Sequence, residues 1–166
     1  MSSNHKSVVI KIAALLLQQQ QRLVTAESCS GGLLAAACTT LAGSSAWFEG
    51  GFVTYSNRSK NLQLGVSEAL LASHGAVSEA VALAMVNGAV ERSFATVGVA
   101  VTGIAGPEGG TLQTPVGTVY IAWHLAAVTG SVIQSRRFTF AGSREAVRQQ
   151  SVATALGGLH DLLQIA

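Results

Sequence analysis

Three side chains able to act as nucleophiles stand in a row at Ser28, Cys29 and Ser30, between an apolar run from Leu23 to Ala26 and the glycine pair Gly31-Gly32. An apolar run that breaks into small polar residues and glycines, then resumes with helical spacing at Leu33, predicts a strand, a tight turn and a helix N-terminus. Such a turn offers unpaired backbone N–H groups to an anion or oxyanion, and presents Oγ or Sγ atoms to a bound carbonyl. The plain alternative is that these residues only cap the helix. Their place at the carboxyl end of a strand favours the chemical reading, because open α/β sheets bind ligands there.

Two further segments have the same form. Tyr55-Ser56-Asn57-Arg58-Ser59-Lys60 follows a strand predicted over 51–55 with a polar cluster, and a lysine whose pKa is lowered by burial can serve as base to a serine without a histidine. An ordinary loop with a solvated lysine is the competing interpretation. Thr102-Gly103-Ile104-Ala105-Gly106-Pro107-Glu108-Gly109-Gly110 ends a strand in a glycine-rich loop whose backbone can approach a bound group closely. Each segment alone can be read as a structural turn or loop; three at strand ends point to one site.

The elements that must position these loops follow from periodicity. Val8, Val9, Ile12, Leu15 and Leu16 recur at helical spacing over 5–21, strand 23–26 follows, and 31–40 form a second helix ending before Gly43-Ser44-Ser45. Ser67-Glu68 and Ser78-Glu79 predict the N-caps of two helices, one ending before Gly75 and one running to about Ser93. The β-branched segments 96–102, 116–124 and 132–140 predict strands, the last two forming a hairpin through Thr129-Gly130. Ser143 caps a last helix with Val152, Leu156, Leu159 and Leu163 on one face. The fold class is α/β: a three-layer α/β/α sandwich around a mixed β-sheet, with residues 1–166 as one domain.

Composition narrows the function. The chain is 49% apolar but only 5% aromatic and 11% charged, so its interior is built from Ala, Val, Leu and Gly. A net charge of +2, with basic residues scattered apart from Arg136-Arg137, argues against nucleic acid or an anionic membrane as partner and for a small molecule. Cys29 and Cys38 match no zinc or redox spacing and suit a reducing cytoplasm. Lys11 and the glutamines after it interrupt the only candidate signal segment, and the apolar stretches 94–106 and 116–133 are broken by Gly, Thr and His, so no membrane span is predicted. His74, His124 and His160 are not spaced as metal ligands, and no metal or cofactor is expected. Arg136, Arg137, Arg144 and Arg148 read as surface charges, with Arg137 carried forward as the arginine that reaches a phosphate. A core poor in aromatics leaves room for a homo-oligomer.

Ala26-Glu27-Ser28-Cys29-Ser30-Gly31-Gly32, Ala42-Gly43-Ser44-Ser45-Ala46-Trp47-Phe48, Gly51-Phe52-Val53-Thr54-Tyr55-Ser56-Asn57 with Lys60, His74-Gly75-Ala76-Val77-Ser78-Glu79, Thr102-Gly103-Ile104-Ala105-Gly106-Pro107 and Pro115-Val116-Gly117-Thr118-Val119 together resemble the CinA C-terminal domain family over residues 10–163. The resemblance implies hydrolysis of the carboxamide of nicotinamide mononucleotide to nicotinate mononucleotide and ammonia, in pyridine nucleotide salvage. By motif it implies Ser28 as nucleophile, Lys60 as its base and Tyr55 as a supporting hydroxyl. It implies a nucleotide pocket lined by Glu27, Cys29, Ser30, Gly31, Gly32, Gly43, Ser44, Thr102, Gly103, Ile104, Ala105 and Gly106. Glu27 either faces the pyridine ring or orders the turn.

The chain departs from the family pattern in places. Ser30 stands where threonine is common, and Thr114 where lysine is frequent before Pro115. Arg58-Ser59 replaces an acidic residue and alanine, adding a cation that lowers the Lys60 pKa or redirects substrate preference. The N-terminal pyrophosphatase-like domain of larger CinA proteins is not expected. Two other readings remain open at this level: Cys29 as nucleophile, and a catalytically silent nucleotide-binding or regulatory module on the same fold. The expected oxyanion donors are the N–H groups near Ser30, Gly31 and Gly32.

Overall fold

The strand that leads to Ser28 is β1 (Leu23–Glu27), and all of its residues are buried. In the computed structural model, which describes residues 3–127 and 130–165, β1 pairs in parallel with β2 (Phe48–Val53) on one side and β3 (Val97–Gly103) on the other. β4 (Thr118–Ala127) and β5 (Gly130–Thr139) continue the sheet antiparallel, giving the order β2-β1-β3-β4-β5. This is the mixed sheet with a terminal hairpin that the sequence predicts; Thr129, assigned to its turn, lies outside the described residues.

Helices cover both faces. α1 (Ser3–Gln18), α2 (Leu33–Thr39) and α6 (Arg144–Gln164) bury their apolar residues on one side, and α3 (Asn57–Leu64), α4 (Glu68–His74) and α5 (Glu79–Glu91) on the other. Strand alternation divides β3 between the two cores. Val97, Val99 and Val101 enter the first, while Gly98 and Ala100 face the second. Small residues on that second face let α5 sit close: a Cβ at Gly98 would lie 2.8 Å from a Val90 methyl. The expected caps form, with Ser67, Ser78 and Ser143 hydroxyls accepting from the N–H groups of Leu70, Val81 and Ala146.

Two elements differ from expectation. β2 begins at Phe48 rather than 51, because pairing starts at Leu23 opposite Phe48 and an edge strand tolerates Gly50-Gly51. Residues 57–64, to which periodicity assigns no element, are a helix. Asn57-Arg58-Ser59-Lys60-Asn61-Leu62-Gln63-Leu64 has almost no apolar periodicity, so tertiary contacts must hold it. Its ends carry the usual signals: the Ser56 hydroxyl accepts from Ser59 N–H, and Gly65 closes the last turn at φ 69°. At Gly88 of α5 a Cβ would stand 1.9 Å from the Leu64 carbonyl oxygen, so α3 packs its final turn on the bare backbone of α5.

Candidate active site

The three parallel strands all end at one edge of the sheet. From there the chain leaves β1 for α2 on one face and leaves β2 for α3 on the opposite face. Divergence of neighbouring connections opens a crevice at the carboxyl ends, the place where such sheets bind ligands. A cleft of about 260 Å³ lies there, bordered by all three predicted loops, with Ser28, Lys60 and Gly103 each on a different one.

Glu27 builds the nucleophile turn. Its fully buried carboxylate accepts from the N–H groups of Gly32 at 2.9 Å, Leu34 at 3.0 Å and Ala35 at 2.8 Å. These are the orphan donors of the first turn of α2, where a negative charge is also favoured by the helix dipole. Gly31 and Gly32 supply the positive φ values, 61° and 94°, that swing the chain from strand into helix. Glu27 therefore orders the turn rather than facing a ring. Ser28 N–H donates to Val101 O at 2.9 Å, and Thr54 N–H donates to Glu27 O at 2.8 Å, so both neighbouring strands hold the turn in place.

Lys60 comes up from α3 beneath it. Its Nζ donates to Ser28 Oγ at 2.9 Å and to Thr54 O at 2.9 Å, and the residue is only 1% exposed. Burial lowers the Lys60 pKa below 10.5, with a nearby Cys29 acting weakly in the other direction. Its position in the first turn of α3, at the positive end of the helix dipole, works in the same sense as burial. Arg58 is exposed on the outer side of α3. The cation expected to lower Lys60 is thus not what does so; desolvation is.

Cys29 lines the cleft, but its thiol is buried and pushed up to about 11 by that burial. A thiol with this pKa holds almost no thiolate at neutral pH. Tyr55 stands at the mouth, 63% exposed, with its hydroxyl accepting from Arg144 Nη2 at 2.8 Å. Thr102, Gly103, Ile104, Ala105 and Gly106 form the opposite wall, as predicted, and Thr102 Oγ1 donates to Ala76 O at 2.8 Å, tying in the loop before α5.

Several predicted contacts fall elsewhere. Gly31 N–H donates to Ser28 O and Gly32 N–H to Glu27, so neither is available to an oxyanion. Ser30, Gly31 and Gly32 lie behind the cleft lining. Among the described residues of the turn, the N–H groups of Cys29 and Ser30 take no backbone or side-chain oxygen. Gly43 and Ser44 follow α2 to the opposite edge of the sheet, where Leu23 N–H meets Trp47 O at 2.8 Å, and they do not reach the cleft. Arg137 belongs to β5, two strands beyond β3; its Nη2 donates to Gln113 O at 2.8 Å and its guanidinium stands 6.0 Å over the Tyr120 ring.

The arginine that reaches the site is Arg144, first residue of α6. Its Nη1 donates to Gly106 O at 2.7 Å while Nη2 holds Tyr55, so it bridges two of the loops. One turn later Arg148 Nη2 donates to Ser30 O at 3.0 Å, bracing the third. By sequence alone both read as surface charges. Their spacing of four after the Ser143 cap, which puts both on one face of a helix start, is the signal that could have found them. Thr54, Asn57 and Glu108 also join the cleft or its support without having been singled out.

A parallel-stranded crevice holding a buried serine and lysine in contact defines an α/β protein with a candidate nucleophile and base at its strand ends. The chain belongs to the CinA C-terminal domain family, whose model matches residues 5–163. It is 55% identical over 120 residues to nicotinamide-nucleotide amidohydrolase PncC of Pseudomonas putida, covering 72% of each chain. It is 52% identical over 116 residues to the Escherichia coli K12 protein of the same name, covering 70% of this chain and 68% of that one. Among solved structures, the competence/damage-inducible protein of Agrobacterium tumefaciens superposes with a TM-score of 0.92 at 40% identity, covering 99% of this chain and 98% of that one. A CinA superfamily protein of Klebsiella pneumoniae 700603 superposes with a TM-score of 0.91 at 38% identity, covering 99% of this chain and 100% of that one. No described helix is long and apolar enough to cross a membrane.

Proposed function

We propose that this chain hydrolyses the carboxamide of nicotinamide mononucleotide, releasing nicotinate mononucleotide and ammonia, with Ser28 as nucleophile and Lys60 as general base. The observation that carries the mechanism is the 2.9 Å contact between Lys60 Nζ and Ser28 Oγ at the floor of a cleft. The amidohydrolase names of relatives at 55% and 52% identity support the substrate.

The steps follow from the atoms present. Lys60, whose ammonium form is disfavoured by burial, acts from its neutral form and takes the proton of Ser28 as Oγ bonds to the carboxamide carbon. The carbonyl oxygen becomes an oxyanion facing the N–H groups of Cys29 and Ser30, donors worth about 3 kcal/mol each in the barrier. Lys60 passes its proton to the departing nitrogen, the C–N bond breaks and ammonia leaves an acyl-serine. Water, deprotonated by Lys60, attacks that ester; collapse frees the carboxylic acid and returns the proton to Ser28.

Cys29 is the weaker nucleophile at this site, since burial pushes its thiol up to about 11. A silent module would be favoured by an altered Arg58-Ser59 pair at the site, but Arg58 stands exposed on α3 and is not among the residues lining the cleft. The deciding experiment measures ammonia released from nicotinamide mononucleotide, its riboside and free nicotinamide, with and without EDTA, beside Ser28→Ala. Tight nucleotide binding without ammonia release over hours would overturn the enzymatic reading.

A further inference from the structure

The cleft has a charge pattern that the reaction itself does not use. At the floor, Ser28 and Lys60 are buried, and the lysine must be neutral to act as base, so the reacting end supplies no charge for binding. At the rim stand two exposed ionic side chains of opposite sign, Glu108 on the glycine-rich loop after β3 and Arg144 at the start of α6. Arg144 spends its bonds on neutral acceptors, Gly106 O and Tyr55 Oη. Among the described residues neither Glu108 nor Arg144 forms an ion pair, with each other or with any other group. Two opposite charges border one cleft without neutralising each other.

A ligand that carries both a cation and an anion at separate points would satisfy both. The substrate of the proposed reaction is of that kind: the pyridinium ring bears the carboxamide, and the phosphate sits at the far end of the ribose. Placing the carboxamide carbon at Ser28 Oγ leaves the phosphate toward the mouth, where the exposed guanidinium stands. We propose that Glu108 and Arg144 are specificity-determining residues that sort the substrate's charges, Glu108 facing the cationic ring and Arg144 the phosphate. This assignment, which rests on the amidase reading, selects zwitterionic pyridine nucleotides over neutral amides.

The test measures binding by calorimetry in a Ser28→Ala background, so that turnover does not interfere. Three probes separate the charges: nicotinamide mononucleotide, its riboside, which lacks the phosphate, and the reduced mononucleotide, whose ring is neutral. Adding Arg144→Gln weakens the mononucleotide about tenfold or more, the range of a hydrogen bond to a charged group, and leaves the ratio between riboside variants near one. Adding Glu108→Gln weakens both cationic probes about fivefold, the scale of a charge pair near a surface, and does not weaken the reduced mononucleotide. Arg58→Ala, which removes an equal charge from the outer side of α3, serves as control and shifts none of the ratios. Melting temperatures measured on each variant separate lost folding from lost binding.

Equal weakening of all three probes by either variant, or no weakening at all, overturns the assignment. If wild-type protein releases no ammonia yet these ratios appear, the amidase reading falls and the charge assignment stands. If ammonia is released and the ratios stay flat, the assignment falls alone. Failure of every probe to bind overturns both.

Discussion

Lys60 Nζ and Ser28 Oγ lie 2.9 Å apart although 32 residues separate them in the chain, one at the end of β1 and the other in the first turn of α3. The contact exists because α2 and α3 leave adjacent strands toward opposite faces, so the loops that carry them open around one crevice. If this pair performs the chemistry, Ser28→Ala and Lys60→Ala each lower kcat for ammonia release by about 10³-fold or more, with KM changed little. Cys29→Ala keeps most of the turnover and loses about 1 kcal/mol of stability, because its side chain packs in the core but is no thiolate. Activity surviving either dyad substitution, or abolished in a folded Cys29→Ala protein, would reverse the assignment.

The pH profile should rise, not fall, across the range where Lys60 loses its proton. Its folded pKa lies below 10.5, so kcat/KM climbs to a plateau with a midpoint under that value. The sign for stability agrees: between the folded and unfolded pKa values the unfolded chain binds more protons, so stability rises with pH through that window. Lys60→Met, of similar length and never charged, abolishes both the catalytic limb and this slope. Thermal melts from pH 7 to 10.5 on both proteins check it.

Glu27 is expected to matter for both folding and rate. Glu27→Ala leaves three N–H donors at the head of α2 without an acceptor, that of Leu34 buried and those of Gly32 and Ala35 half-buried, and lowers stability by about 3 kcal/mol. Glu27→Gln keeps one carbonyl acceptor but turns an N–H group toward another N–H, and falls between. Denaturant melts give the stability, and kcat of the folded fraction reports how far the Ser28 turn has moved. Unchanged stability in Glu27→Ala would remove the anchor role.

Gly88 tests whether the second core face holds the base in position. Gly88→Ala forces a methyl against the Leu64 carbonyl, where the built Cβ is 1.9 Å away, and costs about 2 kcal/mol or more as α3 shifts. Because Lys60 rides on α3, kcat drops further than in Gly157→Ala, where an added Cβ meets nothing within 4 Å. Equal activity in the two folded variants would show that α3 is held by other contacts.

The strands, five of the six helices and the three loops at strand ends were legible in the sequence because each follows from local physics: apolar period, capping serines and glycine breaks. Ser28, Lys60 and the glycine-rich 102–106 loop were legible as residue types that end strands and can line a cleft, and the linked motifs named the family. α3 was not, since its eight residues are polar on nearly every side: Ser56 and Gly65 mark its ends, but packing on Gly88 and the neighbouring core, not an apolar period, holds it. Two of the expected oxyanion donors are consumed by the fold, the Gly31 N–H by Ser28 O and the Gly32 N–H by the buried Glu27 carboxylate. Arg144 displaced Arg137 for the same kind of reason. Which of several equally charged side chains reaches a cleft depends on where distant elements cross, and local sequence carries the charge but not the crossing.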